Sequence, residues 1–214
     1  MYGEIVIADD GHAGGRDGLA LAELLRGPGT TLVSAHDLAR RATVRQLHAL
    51  AAERGSDLLI VGSHHARAAV HDAPCQVAVA PRGYADRPHR AIRSIGIGHT
   101  DTPEGRAVLD MARSLAWELG AELHAAHVVS VSNWETLDSG GGRKAVAAAQ
   151  RMREIPGVRG VAFEGDVVRE LARFARALDL LVLGSHHHSV VRRLIRGDVA
   201  GGLTSHSPCP LLVV

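Results

Sequence analysis

Short apolar runs alternate along this chain with segments in which apolar residues recur at helical spacing. Runs such as 5–8, 58–61 and 180–183 are uninterrupted, which is typical of strands buried on both faces of a parallel sheet. Helical spacing is clearest from Ala107 to Leu119. Strands that alternate with helices predict right-handed crossovers and a parallel sheet, so the pattern indicates an α/β protein.

The second half of the chain shows this alternation in full. Its pattern predicts strands at 92–98, 121–129, 158–163, 180–183 and 211–214, and helices at 103–119, 143–154, 166–177 and 199–205. Thr102 suits an N-cap, Pro103 a first helical turn and Gly120 a helix end. The glycines at 140–142 are expected to form a loop before the second of these helices.

The first half follows the same order in a shortened form. The pattern predicts strands at 4–8, 30–35, 58–61 and 76–80, and helices at 18–25 and 43–53. From His36 the chain passes almost directly into the second helix. The spacing therefore leaves no room for a counterpart of the strand at 158–163.

A repeated phrase links the two halves. Residues 57–65, DLLIVGSHH, return as 179–187, DLLVLGSHH, and a proline-cysteine strand follows each copy. The repeat predicts two similar domains, at 1–83 and 91–214, joined by a linker at 84–90. Cys75 and Cys209 occupy the same repeat position before a strand, so they are expected to be small buried residues rather than a disulfide.

The order of motifs in the second half resembles a universal stress protein domain. The segments that carry the resemblance are 95–98, 102–105, 121–124, 127–129, 164–166, 181–185 and 197–210. The first half resembles a trimmed member of the same family. The resemblance implies two Rossmann-like, flavodoxin-like domains of the adenine nucleotide alpha hydrolase-like kind, in tandem. It also implies that strands 76–80 and 211–214 pair, giving an intramolecular pseudo-dimer, with a homodimer left open.

Bulk composition excludes several partners and locations. The net charge of +1 and an aromatic content of 3% give no basis for nucleic-acid binding. No apolar run is long enough to cross a membrane, and the N-terminus lacks a signal-peptide pattern. A cytoplasmic protein is therefore expected, with neither nucleic acid nor membrane as a partner.

Two enzyme classes are also disfavoured by the sequence. The only lysine is Lys144, so no phosphate-binding loop ends in Lys-Ser or Lys-Thr. The segment 183–187, LGSHH, lacks the closing glycine of a hydrolase nucleophile elbow. No catalytic residue is predicted, and the expected role is non-catalytic.

The resemblance places a nucleotide site in the second half and shows that its phosphate end is altered. ATP-binding family members carry Gly, two residues, Gly, nine residues, then Gly-Ser or Gly-Thr. Here Gly184 and Gly197 keep that spacing, but His187 replaces the second glycine and Asp198 the hydroxyl residue. A carboxylate beside a phosphate is repulsive, and Asp198 can instead cap the helix that starts at Val199.

The adenine end is altered as well. Binding members place an Asp at the end of the first strand, where this chain has Thr100 followed by Asp101. The first half keeps Asp10-Gly11 but has a shorter loop after Ser63. The prediction is a stress-response protein with a degenerate adenine-nucleotide site; no cofactor is assigned, and ATP or AMP is left open. The candidate site residues are Thr100, Asp101, Val128, Leu183, Gly184, His187, Gly197, Asp198 and Val199.

Histidines at predicted strand ends suggest an alternative. The chain has 14 histidines, and several follow strands at the edge where α/β sheets bind ligands: His36, His64, His65, His99, His127, His186, His187 and His188. Histidine is a common zinc ligand and a sensor of mild acidity. A small-molecule or metal sensor is therefore one alternative, with no metal ligands assigned, and a purely structural interaction module is another.

Overall fold

The chain forms nine strands and six helices within its described residues. The computed structural model describes residues 1–9, 13–35, 43–88, 91–130, 140–184, 203–204 and 207–214, with 140–144 described by their backbone alone. The strands are β1 (Glu4–Ile7), β2 (Thr31–Ser34), β3 (Leu58–Gly62), β4 (Gln76–Ala80), β5 (Ser94–Gly98), β6 (Glu122–Val129), β7 (Arg159–Glu164), β8 (Leu180–Leu183) and β9 (Leu211–Val213). The helices are α1 (Ala13–Leu25), α2 (Val44–Arg54), α3 (Ala66–Val70), α4 (Pro103–Leu119), α5 (Gly140–Arg153) and α6 (Val167–Ala175).

All nine strands belong to one sheet, in the order β2-β1-β3-β4-β9-β8-β5-β6-β7. Neighbouring strands are parallel except at the centre, where β4 and β9 are antiparallel, with Ala78 opposite Leu212. Strands β1 to β4 come from residues before 89, here called the first half, and β5 to β9 from residues after 90, the second half. The predicted α/β class with a mainly parallel sheet is confirmed.

Helices cover both faces of the sheet, and each face has its own apolar core. One core packs β-strand residues such as Ile5, Ile95 and Leu212 against α1 and α4. The other packs residues such as Leu59 and Leu211 against α2, α3 and α6. Both cores contain residues from the two halves, because β4 and β9 adjoin at the sheet centre. Strands covered on both faces explain the uninterrupted apolar runs in the sequence.

The first residue of the repeated phrase makes the same contacts in both halves. Asp57 Oδ2 accepts hydrogen bonds from the backbone N–H groups of Gly3 (2.7 Å) and Glu4 (3.2 Å). Asp179 Oδ2 accepts from those of Arg93 and Ser94, both at 2.9 Å. Each carboxylate therefore joins the start of its half's first strand to the strand that carries the repeat. The repeat thus extends from sequence to side-chain geometry.

Two helices begin earlier than predicted, in glycine-rich sequence. Helix α1 begins at Ala13, earlier than the predicted Gly18, and α5 begins at Gly140, within the predicted glycine loop. Glycine lowers intrinsic helix propensity, but packing against a sheet can outweigh that cost. The predicted caps of α4 are confirmed: Thr102 accepts a hydrogen bond from the Gly105 N–H at 3.1 Å, and Gly120 ends the helix in a left-handed conformation.

The predicted linker is anchored at its start by Tyr84, whereas residues 85–88 are exposed. Tyr84 is 2% exposed and belongs to the core on the α1 side of the sheet. Asp17 of α1 is also buried, and its two carboxylate oxygens accept hydrogen bonds from Gly83 N–H (2.9 Å) and Ala85 N–H (2.8 Å). Arg87 donates to the carbonyl oxygen of Pro208 at 2.7 Å. This segment therefore contacts both halves.

The glycines of the repeat should differ in their tolerance of alanine. A Cβ on Gly62 would lie 2.8 Å from the backbone Cα of Gly14, whereas a Cβ on Gly184 would lie 2.9 Å from a side-chain methyl of Val108. Backbone yields less readily than a side chain, and overpacking typically costs about 1–3 kcal/mol. We expect Gly62→Ala to lower the free energy of unfolding by about 1 kcal/mol more than Gly184→Ala. Urea denaturation of both variants checks this; equal losses would contradict it.

Candidate functional site

A cavity of about 460 Å³ lies at the carboxyl ends of β5, β6 and β8. Helices α5 and α6 contribute its remaining walls. In open α/β sheets, ligands bind at this edge, beside the strand from which connections run in opposite directions. We call this space the ligand cavity. Its described lining residues are Gly98, His99, Thr100, Ala126, His127, Val128, Val129, Ser130, Ala147, Arg151, Val167, Leu171 and Leu183.

The loop after β5 contacts the first turn of α4. The Thr100 hydroxyl lies 3.2 Å from the Thr102 hydroxyl, which also caps α4. A Cβ on Gly105 would overlap the carbonyl oxygen and the hydroxyl of Thr100. Glycine at 105 thus allows α4 to approach this loop. The close approach keeps Thr100 in the cavity wall.

Two histidines meet in the cavity wall. His99 is 7% exposed, and its backbone N–H donates to Ala126 O at 2.8 Å. His127 Nδ1 lies 3.1 Å from His99 O, and because a carbonyl oxygen only accepts, Nδ1 carries the hydrogen in this contact. His99 Nδ1 is buried and has no hydrogen-bond partner among the described residues.

Asp101 lies outside the ligand cavity. Its Oδ1 is 3.4 Å from His99 Nε2, and its Oδ2 is 3.3 Å from Arg151 Nε. Asp101 lines a smaller adjoining cavity of about 210 Å³, to which His99, His127 and Arg151 also contribute. These three side chains therefore lie between the two cavities. The carboxylate of Asp101 faces the smaller, adjoining cavity.

The predicted site residues divide into three groups. Thr100, Val128 and Leu183 lie together in the lining of the ligand cavity. Asp101 lines the adjoining cavity, and Gly184 is buried at the end of β8 against Val108. The remaining predicted residues lie outside the described part of the chain: His187, Gly197, Asp198 and Val199, together with Asp10 and Gly11 of the first half.

Arg151 is the charged residue among the lining residues that the sequence analysis did not identify. It follows Ala147 by four residues in α5, and residues at that spacing share one helix face. Both line the ligand cavity. The spacing was visible in the sequence, but nothing there showed which face of α5 is turned toward the strand ends.

Comparison with known proteins identifies the family. The model of the universal stress protein family matches residues 91–214. The chain belongs to the universal stress protein family. A curated relative, the universal stress protein MJ0531 of Methanocaldococcus jannaschii, is 30% identical over 119 residues, covering 48% of this chain and 70% of the relative. Membership of this family supports a role in stress response.

Solved structures agree with this fold. A universal stress protein from Archaeoglobus fulgidus has a TM-score of 0.51 at 15% identity, covering 86% of this chain and 69% of that structure. A protein from Pseudomonas aeruginosa UCBPP-PA14, described as a universal stress protein, has a TM-score of 0.59 at 18% identity, covering 91% and 75%. At these identities the similarity concerns the fold, which is the Rossmann-like adenine nucleotide alpha hydrolase fold.

The histidines at the strand ends are only partly described. The rings of His64 and His65 have centroids 3.8 Å apart, and His99 and His127 meet as described above. Within the described ranges, no group of three His, Cys, Asp or Glu side chains is arranged to hold a metal ion. His36 and His186–His188 lie outside those ranges.

None of the described helices has the length and apolar character needed to span a bilayer.

His99 should make the stability of this universal stress protein depend on pH. Burial lowers the pKa of His99 below its ordinary value of 6.5, more than Asp101 raises it, and His127 and Arg106 lower it further. The unfolded chain therefore binds a proton at a higher pH than the folded chain. The stabilising contribution is complete above pH 6.5 and is lost as pH falls through the folded pKa.

Urea denaturation at pH 7.5 and pH 5.5 checks this expectation. We expect the wild type to lose more free energy of unfolding across this interval than His99→Gln does, because only the wild type has this histidine to protonate. His71→Gln, which removes an exposed imidazole, is the control for the loss of one histidine. A His99→Gln variant with the pH dependence of the wild type would contradict the prediction.

Proposed function

We propose that this chain is a non-catalytic regulatory protein of the stress response, with a degenerate adenine-nucleotide site in its second half. The observation that carries the proposal is the position of Asp101. ATP-binding family members are expected to place a carboxylate at the end of the first strand. Here that wall position is Thr100, and Asp101 faces the adjoining cavity, between His99 and Arg151.

The proposal includes a tandem arrangement of two α/β units. The repeated phrase, the matching contacts of Asp57 and Asp179, and the central pairing of β4 with β9 support it. In this proposal, the shortened first half acts mainly as a structural partner for the half that carries the cavity. The continuous cores on both faces of the sheet are consistent with that role.

Calorimetric titration with ATP and AMP tests the degenerate site. We expect dissociation constants weaker than about 100 µM and no ATP hydrolysis. Two tryptophan variants on α5 locate any binding that occurs. Ala147→Trp narrows the cavity mouth, whereas Val146→Trp changes a neighbouring residue that is 68% exposed and outside the lining.

One outcome would overturn the degenerate-site proposal. It is micromolar ATP binding that is lost in Ala147→Trp and kept in Val146→Trp. Such a result would place a working nucleotide site in the ligand cavity. ATP hydrolysis with the same dependence on the two variants would overturn the non-catalytic assignment.

A further inference from the structure

The ionisable side chains that line the ligand cavity are all nitrogen bases. Among the described lining residues they are His99, His127 and Arg151, and no carboxylate is present. Asp101, the acidic residue nearest to them in the loop, lines the adjoining cavity instead. Because Arg151 carries a positive charge and no described lining residue is acidic, the cavity favours a ligand that carries negative charge.

Arg151 is the residue best placed to bind a negatively charged group of a ligand. Its contact with Asp101 is made through Nε, and the terminal nitrogens of a guanidinium supply further donors in the same plane. A guanidinium matches a carboxylate in geometry and can bind it through two parallel hydrogen bonds. The side chain is 56% exposed, so an incoming ligand can reach it from the cavity mouth.

The rest of the cavity is suited to an aliphatic body. Most of the described wall is aliphatic, and it contains no Phe, Tyr or Trp; the larger aliphatic members are Val128, Val129, Val167, Leu171 and Leu183.

Two polar groups in the wall already have partners, whereas the buried His99 Nδ1 has none among the described residues. The Thr100 hydroxyl lies within hydrogen-bond distance of Thr102, and His127 Nδ1 bonds to the His99 carbonyl oxygen. A purine buried here would leave polar atoms unpaired, at a cost that an alkyl chain does not incur.

We propose that the ligand cavity binds a small carboxylic acid with an aliphatic body, whose carboxylate pairs with Arg151. The volume of about 460 Å³ lies within the range of pockets that hold small molecules. The inference rests on the proposed function, because it assigns a ligand to the site at which tight ATP binding is not expected.

Three probes with the same chain and different head groups test the ligand class. Octanoate, octanol and octylamine are titrated separately into the full chain by calorimetry. We expect octanoate to bind at least about tenfold more tightly than either of the others, because only it forms a charge-assisted pair with a guanidinium. Equal affinities for the three probes would overturn the assignment of an acid.

Two pairs of variants on α5 place the binding. Arg151→Gln should weaken octanoate about tenfold and leave octanol unchanged, whereas Arg153→Gln, on an exposed residue outside the lining, should change neither. Ala147→Trp should abolish octanoate binding and Val146→Trp should preserve it. Octanoate binding that is insensitive to both Arg151→Gln and Ala147→Trp would overturn the proposed location.

The same titrations separate this inference from the proposed function. If neither ATP nor octanoate binds, the carboxylic-acid inference fails and the degenerate-site proposal stands. If ATP binds with micromolar affinity and Ala147→Trp abolishes that binding, the degenerate-site proposal fails. The octanoate comparison with Arg151→Gln then decides the ligand class on its own evidence.

Discussion

Replacing Leu212 with alanine is expected to lower the free energy of unfolding by about 3–4 kcal/mol. Leu212 is fully buried at the centre of the sheet, opposite Ala78 of β4 and beside Val182 of β8. Truncation removes apolar contact and leaves a cavity that strands hydrogen-bonded on both sides can fill only in part. For a chain of this size the loss corresponds to a melting temperature lower by roughly 10 °C.

Thermal and urea denaturation measure this loss. Val161→Ala is the control, because Val161 lies on the edge strand β7 and is 38% exposed. We expect the control to cost less than about 1 kcal/mol. A loss at Leu212 no larger than the loss at Val161 would contradict a continuous core across the central strand pair.

Asp17→Ala is expected to cost about 3 kcal/mol, because two hydrogen bonds to a buried carboxylate are lost at once. The backbone N–H groups of Gly83 and Ala85 both donate to Asp17 and lose this acceptor in the variant. Asp17 is buried and its carboxylate forms two charge-assisted hydrogen bonds, which is why the cost exceeds that of a typical surface change. Asp17→Asn keeps one acceptor oxygen and should cost less.

Denaturation and limited proteolysis check this prediction together. Trypsin should cleave after Arg82 faster in Asp17→Ala, because the segment that Asp17 holds becomes free to open. Glu23→Ala, on the exposed side of the same helix, is the matched control. Unchanged stability and unchanged cleavage in Asp17→Ala would show that the two hydrogen bonds do not hold the segment.

The elements predicted most accurately are those with the clearest apolar runs. The predicted strands 76–80 and 180–183 have the bounds of β4 and β8 in the structure. Such runs are decisive because a strand covered on both faces tolerates few polar side chains. Helix α4 was also predicted accurately, since Thr102, Pro103 and Gly120 act through local backbone geometry.

Predictions that depended on glycine or on loop position were less accurate. Helices α1 and α5 begin in glycine-rich sequence, where local propensity argues against a helix and packing against the sheet decides. The linker at 84–90 was predicted from its position between the two repeats; within it Tyr84 is a core residue, and Asp17 binds the backbone on either side of Tyr84. These features depend on contacts between segments that are distant in sequence.

The candidate site also combines residues that were predicted from the sequence with contacts that could not be predicted from it. Thr100, Val128 and Leu183 were expected together because the family resemblance implies that they share one site, and all three line the ligand cavity at the strand ends. The pairing of Asp101 with His99 and Arg151 could not be predicted, because it depends on the rotation of α5 and on the path of the loop after β5. The rotation of α5 and the path of this loop are set by tertiary packing rather than by the spacing of residues in the sequence.

The sequence alone determined that this is an α/β protein with an internal repeat, since buried strands and helix caps are encoded locally. Through the family resemblance it also predicted that Thr100, His187 and Asp198 depart from the nucleotide-binding motif. Only the tertiary structure decided that both cores cross the central strand pair, and that a largely aliphatic cavity lined by Arg151 lies at the carboxyl ends of β5, β6 and β8. Long-range packing brings those residues together, and no local pattern specifies its geometry.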